Sequence, residues 1–141
     1  MRVVLDTSVI VRAAFRRHLD SENLIARVIR QDFELITSRA LINELTATLM
    51  VGRLVGRFVW KDDELERYVE TYIRNSTLVY PDVTLTVARD ASDSRFLEAA
   101  LAGDADYLVT EDRDLLVLES FRGVRILDTA SFISLLSEET S

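Results

Sequence analysis

Four carboxylates stand where they could act together on one substrate: Asp6, Glu44, Asp93 and Asp112. Asp6 directly follows a short run of buried-type residues, VVL, and Asp112 comes soon after a second such run, YLV. Loops diverge at the carboxyl ends of parallel strands and open a crevice there, so we expect Asp6 and Asp112 to lie at one edge of a sheet. Carboxylates held close together repel each other. The pattern therefore predicts a site that binds a divalent cation.

The chain restricts which cation this could be. It has no cysteine, and a single histidine, His18, cannot build a zinc centre alone. A site made only of oxygen ligands favours Mg²⁺ or Mn²⁺. Such an ion can bind phosphate oxygens, activate a bound water and stabilise a leaving oxygen. Phosphodiester hydrolysis is the chemistry that these residues suggest.

The same acids have a simpler interpretation as helix caps. Asp6, Asp93 and Asp112 each stand where a helix is expected to begin, and an aspartate there accepts hydrogen bonds from backbone amides, worth about 1 kcal/mol. Glu44 stands beside an apolar helical stripe, where burial would be costly, but its side chain could also reach outward to solvent. Both interpretations stay open at this point.

Apolar runs and helical periodicity predict the elements that would position the acids. Strands are expected at residues 3–5, 33–36, 77–80, 107–109 and 124–127, with a further extended segment at 83–88. Helices are expected from 7 to about 18, from 20 or 21 to about 29, from 37 or 38 to about 49, at 62–74, from about 90 to 102, at 115–118 and around 132–136. This alternation predicts an α/β fold, a three-layer α/β/α sandwich with a mostly parallel central sheet. One proline and four glycines leave little room for linkers, so residues 1–141 are expected to form a single domain.

Three local features refine this picture. Thr7 or Ser8 is expected to cap the first helix. In the third helix an apolar stripe that includes Leu41 and Leu45 places Glu44 at the border of the core. The segment 52–60, GRLVGRFVW, is expected to form a short helix or lid that packs on the body of the domain.

The charge of the chain bears on its partners. Acidic residues outnumber basic ones 24 to 17, which argues against nucleic-acid binding by bulk electrostatics. All basic residues except Lys61 are arginines, whose planar fork suits phosphate. Local phosphate contacts could come from Arg12, Arg16, Arg95 and Arg113. No apolar run approaches the ~18 residues that cross a bilayer. We therefore expect a cytoplasmic protein that does not associate with a membrane.

Three stretches resemble the motifs of PIN-domain nucleases, in the expected order and over nearly the whole chain. They are VLDTSV, ALINEL and DSRFLEAALAGDADYLVTEDRDLL, of which the last is the most specific. The resemblance implies that Asp6, Glu44, Asp93 and Asp112 are the four metal-site acids, with Ser8, Thr110 and Asp114 as supporting polar groups. It further implies that Asp6 and Asp93 ligate the metal most directly, while Glu44 and Asp112 complete the shell and orient the attacking water.

The resemblance also carries functional implications. It implies a metal-dependent endonuclease that cuts RNA, the VapC-like toxin of a toxin–antitoxin pair, with a small antitoxin protein as partner and a homodimeric assembly. The chain departs from the usual pattern at Ala91 and Ser92, which replace an expected proline and acid, and at Glu111, which adds negative charge beside the site unless Arg113 neutralises it.

Other classes also place an aspartate after the first strand. A haloacid-dehalogenase-like phosphatase would have a second acid two residues later, where this chain has Ser8. A phosphate-receiver domain would have a lysine late in the chain, and this chain has none there. A third alternative is a non-catalytic interaction module in which the acids serve only as caps.

Overall fold

A computed structural model describes residues 1–16, 19–57, 60–85 and 91–140. Within these ranges it describes every side chain except those of residues 13–16, 19–23, 91–92 and 139–140. The strands of the described part are β1 (Arg2–Leu5), β2 (Glu34–Thr37), β3 (Ser76–Leu78), β4 (Tyr107–Val109), β5 (Ser120–Phe121) and β6 (Val124–Leu127). Its helices are α1 (Thr7–Arg16), α2 (Leu19–Ile29), α3 (Arg39–Leu54), α4 (Asp62–Arg74), α5 (Ala91–Ala102), α6 (Arg113–Leu116) and α7 (Thr129–Thr140). None of these helices is long and apolar enough to span a bilayer.

The strands form one sheet in the order β3-β2-β1-β4-β6-β5. All neighbouring pairs are parallel except β5 with β6, which form an antiparallel edge. The central strand β1 pairs with β2 on one side and β4 on the other, and Leu5 lies opposite Val109. The ends of β1 and β4 are therefore adjacent, as expected for a parallel sheet.

Strand β1 is apolar throughout because both faces of the sheet are covered. Val3 and Leu5 point to one face, where they belong to a core with residues of α1, α2, α3, α4 and α7. Val4 points to the opposite face and packs with Phe96 and Leu97 of α5 and with Leu115 of α6. Side chains alternate along a strand, so a strand between two helical layers needs apolar residues at every position. The predicted three-layer α/β/α fold is confirmed.

Several predicted elements match closely, namely the strands at 107–109 and 124–127 and the helix at 62–74. Others need correction. Helix α2 begins at Leu19, so Asp20 and Ser21 lie inside it and are not its cap. Strand β5 has only two residues, too few to show a periodicity, and was not expected from the sequence. Residues 83–85 are not in a strand, and residues 86–88 of the expected extended segment lie outside the described residues. Asp90 and His18, which were expected at the ends of two helices, also lie outside them.

The expectation that segment 52–60 packs on the body is wrong for its first half. Helix α3 continues to Leu54, and Leu54 and Val55 are 78% and 64% exposed. The buried stripe of α3 runs along Leu45, Leu49 and Gly52, so the next positions turn away from the core. Trp60 at the far end does pack partly against the core, and residues 58 and 59 lie outside the described part.

Gly103 shows why α5 ends where the sequence predicts. A Cβ atom at this position would lie 2.6 Å from Cγ2 of Ile36 in strand β2. The absence of a side chain therefore allows the end of α5 to approach the sheet closely.

Candidate active site at the ends of strands β1 and β4

Asp6 is the buried carboxylate at the end of β1, with 6% of its surface exposed. Its Oδ1 accepts a hydrogen bond of 3.1 Å from the Ser8 amide, so Asp6 caps α1. The expectation that Thr7 or Ser8 caps this helix is therefore wrong, and the predicted cap role of Asp6 is confirmed. Asp6 takes this role because it directly precedes the helix, which already begins at Thr7, and its carboxylate reaches the Ser8 amide in the first turn.

Thr110 connects the ends of the two strands. Its hydroxyl donates a hydrogen bond of 2.6 Å to Oδ2 of Asp6 and accepts one of 3.0 Å from the Asp112 amide. Thr110 is fully buried, and its own amide donates to Leu127 in β6. A buried hydroxyl that is both donor and acceptor fixes the orientation of the carboxylate it contacts.

Burial raises the pKa of Asp6 above its ordinary value, because desolvation disfavours the charged form. The hydrogen bonds from Thr110 and from the Ser8 amide act in the opposite direction, and the negative charge of Asp112 raises the pKa further. The ends of β1 and β4 thus place two carboxylates within electrostatic range, as the sequence suggested. A nearby cation would favour the ionised form of Asp6.

Asp6 and Glu44 line the same cleft, which has a volume of about 390 Å³. The residues around it are Asp6, Thr7, Ser8, Val11, Arg12, Glu44, Thr48 and Arg57. Glu44 is half-buried on α3, at the border of the core as predicted, and Arg12 faces the cleft from α1. Two carboxylates and two arginines therefore surround one space that is open to solvent.

Two residues of this cleft, Thr48 and Arg57, were not among the sequence candidates. Thr48 lies four positions after Glu44 on α3, and this spacing puts both side chains on one face of the helix, so the signal was available. Arg57 follows the end of α3, where the amide of Arg57 donates to the Gly52 carbonyl and Gly56 has a φ of +77°. That turn directs Arg57 back to the cleft, and no pattern in the sequence indicates it.

Asp93 is also buried, in the first turn of α5, and α5 packs against β1 and β4. It does not line the cleft that holds Asp6 and Glu44. Next to it, the buried hydroxyl of Ser94 has no hydrogen-bond partner among the described residues. Within the described ranges, no group of three carboxylate or histidine side chains is close enough to hold a metal ion by itself.

Asp112 and its neighbours serve mainly as helix caps in this structure. Oδ1 of Asp112 accepts a hydrogen bond of 2.9 Å from the amide of Asp114, which itself is exposed. Glu111 accepts a hydrogen bond of 3.1 Å from the Thr129 amide at the start of α7. The extra negative charge of Glu111 therefore faces a helix N-terminus, which stabilises it without Arg113.

The four arginines proposed for phosphate contact differ in their surroundings. Arg12 lines the cleft, whereas Arg113 is exposed on α6. Arg95 forms an ion pair of 2.9 Å with Glu98, a buried carboxylate that also accepts a hydrogen bond from the Leu85 amide. The side chain of Arg16 lies outside the described residues. Arg12 is thus the member of this set that shares the cleft with two of the acids.

The donor set fits a hard divalent cation in its chemistry. Asp6 is a desolvated carboxylate with a like charge nearby, and Glu44 faces the same cleft. Carboxylate oxygens are the ligands that Mg²⁺ and Mn²⁺ prefer, and both ions keep several waters, so two or three protein ligands suffice. Asp6 could hold such an ion directly from the cleft, with Glu44 facing the ion's water shell and Asp112 close to Asp6.

The family model for the PIN domain matches residues 2–114, which is most of the chain. The chain belongs to the PIN domain family. The match contains all four candidate acids and ends at Asp114. No curated protein matches the sequence at a significant level.

The PIN fold of this chain is shared with solved structures of low sequence identity. PAE2754 from Pyrobaculum aerophilum is 19% identical, with a TM-score of 0.66 over 97% of this chain and 89% of that one. VapBC2 from Rickettsia felis, bound to a DNA fragment from its promoter, is 12% identical, with a TM-score of 0.62 over 91% of this chain and 98% of that one. VapBC-1 from nontypeable Haemophilus influenzae is 16% identical, with a TM-score of 0.62 over 92% of this chain and 99% of that one.

Proposed function

We propose that this PIN domain is a Mg²⁺- or Mn²⁺-dependent endoribonuclease that hydrolyses phosphodiester bonds of cytoplasmic RNA. The observation that carries the proposal is the cleft in which the buried carboxylate of Asp6 and the half-buried Glu44 face Arg12 and Arg57. Acids for a cation and arginines for phosphate oxygens are the two groups that phosphodiester hydrolysis requires.

The polar residues in and beside the cleft have the following proposed roles. Thr110 and the Ser8 amide hold the Asp6 carboxylate in one orientation. Arg12 and Arg57 bind the phosphate and neutralise its charge as the attacking water adds to phosphorus. Glu44 orients that water and takes its proton. The bond from phosphorus to the leaving oxygen then breaks, and the leaving oxygen takes a proton from solvent. A bound cation would supply Lewis-acid stabilisation of the charge on the phosphate and the leaving oxygen.

Asp93 and Asp112 are proposed as further acids of the site. Asp93 is buried on α5, a helix that packs against β1, and Asp112 raises the pKa of Asp6 through its charge. Asp93 would hold the metal together with Asp6, and Asp112 would complete the outer shell with Glu44. Ser8, Thr110 and Asp114 support these acids through backbone or hydroxyl groups.

The test is cleavage of total RNA by the purified protein in Mg²⁺ or Mn²⁺, with EDTA and Asp93→Asn as negative controls. Asp104→Asn is the matched control, because Asp104 is an exposed aspartate that lies outside the cleft lining. We expect cleavage by the wild type and by Asp104→Asn, and none with EDTA or Asp93→Asn. Cleavage that persists under both negative controls would come from a contaminant and would refute the proposal.

We also propose that the protein is the toxin of a toxin–antitoxin pair, acts as a homodimer and is inhibited by a small antitoxin protein. The support is the fold similarity to the VapBC2 and VapBC-1 structures. The test is co-expression of the chain with proteins encoded beside it, followed by mass measurement of the complex and an RNA cleavage assay. Loss of cleavage in a stable complex is expected; cleavage that no neighbouring protein inhibits would contradict this assignment.

A non-catalytic PIN-fold interaction module is a second candidate, because Asp6 and Asp112 both serve as helix caps. In that case Asp6→Asn would lower Tm at neutral pH, because the amide nitrogen of asparagine cannot accept the hydrogen bond that the Thr110 hydroxyl donates to Asp6. The protein would bind a partner without cutting RNA. A phosphatase would instead release phosphate from small phosphomonoesters, which the same protein samples can be tested for.

A further inference from the structure

Two residues that follow α3, Arg57 and Trp60, line two different cavities. Arg57 lines the cleft described above, and Trp60 follows three positions later. Consecutive Cα atoms are about 3.8 Å apart, so the Cα atoms of Arg57 and Trp60 lie within about 11 Å of each other. The ion pair between Arg53 and Asp62 joins the end of α3 to the start of α4. Arg57 and Trp60 thus belong to one short segment with tied ends.

Trp60 lines an open cavity of about 440 Å³, which we name the aromatic cavity. Its lining consists of Trp60, Glu64, Arg67, Tyr68 and Thr71. The rings of Trp60 and Tyr68 are in contact, with centroids 5.2 Å apart. Glu64 adds a carboxylate to the lining, and Arg67 adds a guanidinium that forms an ion pair with Asp63. An aromatic surface with polar groups around it can bind a planar aromatic ring that carries polar groups at its edge.

The aromatic cavity is also linked to the cleft through α1. The hydroxyl of Tyr68 donates a hydrogen bond of 2.9 Å to the carbonyl of Ile10. The two residues that follow, Val11 and Arg12, line the cleft. The aromatic pair is therefore fixed to the same helix that presents Arg12 to a substrate phosphate.

We propose that the aromatic cavity binds one unpaired base of the RNA substrate, stacked on Trp60, while an adjacent phosphate contacts Arg57 in the cleft. This inference rests on the proposed ribonuclease function. Stacking on an aromatic side chain accepts any base, because every base has a π-face. The site therefore selects single-stranded RNA over duplex RNA, whose bases are already stacked on one another.

Trp60 is the only tryptophan of the chain, so tryptophan fluorescence reports on the surroundings of this one ring. The experiment titrates a short single-stranded RNA into the Asp93→Asn protein in Mg²⁺, a background in which cleavage is expected to be lost. The same titration is repeated with RNAs that each lack one base. We expect quenching of Trp60 emission with the intact RNA, and loss of quenching with a Kd raised at least about fivefold when one particular base is missing.

Three variants separate stacking from packing, with binding measured by anisotropy of labelled RNA. Trp60→Leu keeps an apolar side chain but removes the ring and should raise Kd at least about fivefold, whereas Trp60→Phe keeps a ring and should recover most of the affinity. Tyr80→Leu is the matched control, because Tyr80 is 76% exposed and lies outside the aromatic cavity. It should bind like its parent. Thermal unfolding of each variant shows whether it is folded.

The outcomes distinguish this inference from the proposed function. Base stacking would be overturned, and the nuclease left intact, if the wild type cuts RNA while the Asp93→Asn protein binds it without any change in Trp60 emission. An equal Kd for a folded Trp60→Leu would have the same meaning. Protein that neither binds nor cuts RNA would overturn both.

Discussion

Thr110→Val is the substitution that most directly probes how the ends of β1 and β4 are held together. Valine has almost the same shape as threonine but cannot form the two hydrogen bonds of the Thr110 hydroxyl. The bond to the Asp6 carboxylate is worth about 1.5–3 kcal/mol and the one from the Asp112 amide about 0.5–1.5 kcal/mol. Because Thr110 is fully buried, water cannot replace either bond. We expect the free energy of unfolding to fall by about 3 kcal/mol.

This loss should lower Tm by about 10 °C in a domain of this size. The measurement is thermal and urea unfolding of the metal-free protein, with Thr110→Ser as control because it keeps the hydroxyl and loses one methyl group, which costs about 1 kcal/mol. Combining Thr110→Val with Asp6→Asn in a double-mutant cycle isolates the interaction between the two side chains. Equal Tm values for Thr110→Val and Thr110→Ser, or a coupling energy near zero, would refute this reasoning.

The same substitution has a consequence for pH dependence. The hydrogen bond from Thr110 lowers the pKa of Asp6 against the upward effect of burial. Without it the pKa of Asp6 rises further, so a higher pH is needed to ionise the carboxylate. We expect the acidic limb of the RNA-cleavage profile to move to higher pH in Thr110→Val and to stay in place in Thr110→Ser.

Three further predictions concern charge, phosphate binding and packing. Burial raises the pKa of Asp6, so its ionised form destabilises the metal-free fold; Asp6→Asn should raise Tm in EDTA at neutral pH, and the gain should shrink as pH falls towards 3.8. A lower Tm at neutral pH would indicate a cap role only. Arg57→Gln should reduce the slope of log Kd for RNA against log salt by about 0.7, whereas the exposed Arg74→Gln on α4 should not; equal slopes would remove Arg57 from the phosphate site. Gly103→Ala should cost about 1–3 kcal/mol in urea unfolding because of the close contact with Ile36, and an unchanged midpoint would contradict this packing.

Much of the fold could be predicted because burial dictates sequence in a parallel sheet. The fully apolar VVL of β1 is explained by its two covered faces, and the juxtaposition of Asp6 with Thr110 and Asp112 follows from strand pairing. The cap and ligand roles of Asp6 could not be separated, because both place an acid at the same position. The structure shows the cap, and the metal role stays a prediction.

The residues that sequence reasoning missed depend on tertiary structure to different degrees. Thr48 follows Glu44 by one helical turn and could have been found from spacing alone. Arg57 reaches the cleft only because the chain turns at Gly56, where φ is positive.

Arg95 was proposed for phosphate binding, but it forms an ion pair with Glu98. Glu98 is three residues away on the same helix, a spacing at which ion pairs are common.

The claim that these acids form a site for a divalent cation is tested most directly by counting bound Mn²⁺. The electron paramagnetic resonance signal of free Mn²⁺ is measured as the ion is titrated into the wild type, Asp6→Asn, Asp93→Asn and the control Asp104→Asn. We predict that the wild type and the control remove at least one equivalent of Mn²⁺ from the free pool, and that Asp6→Asn and Asp93→Asn remove none. Equal binding by all four proteins, or no binding by the wild type, would contradict the account.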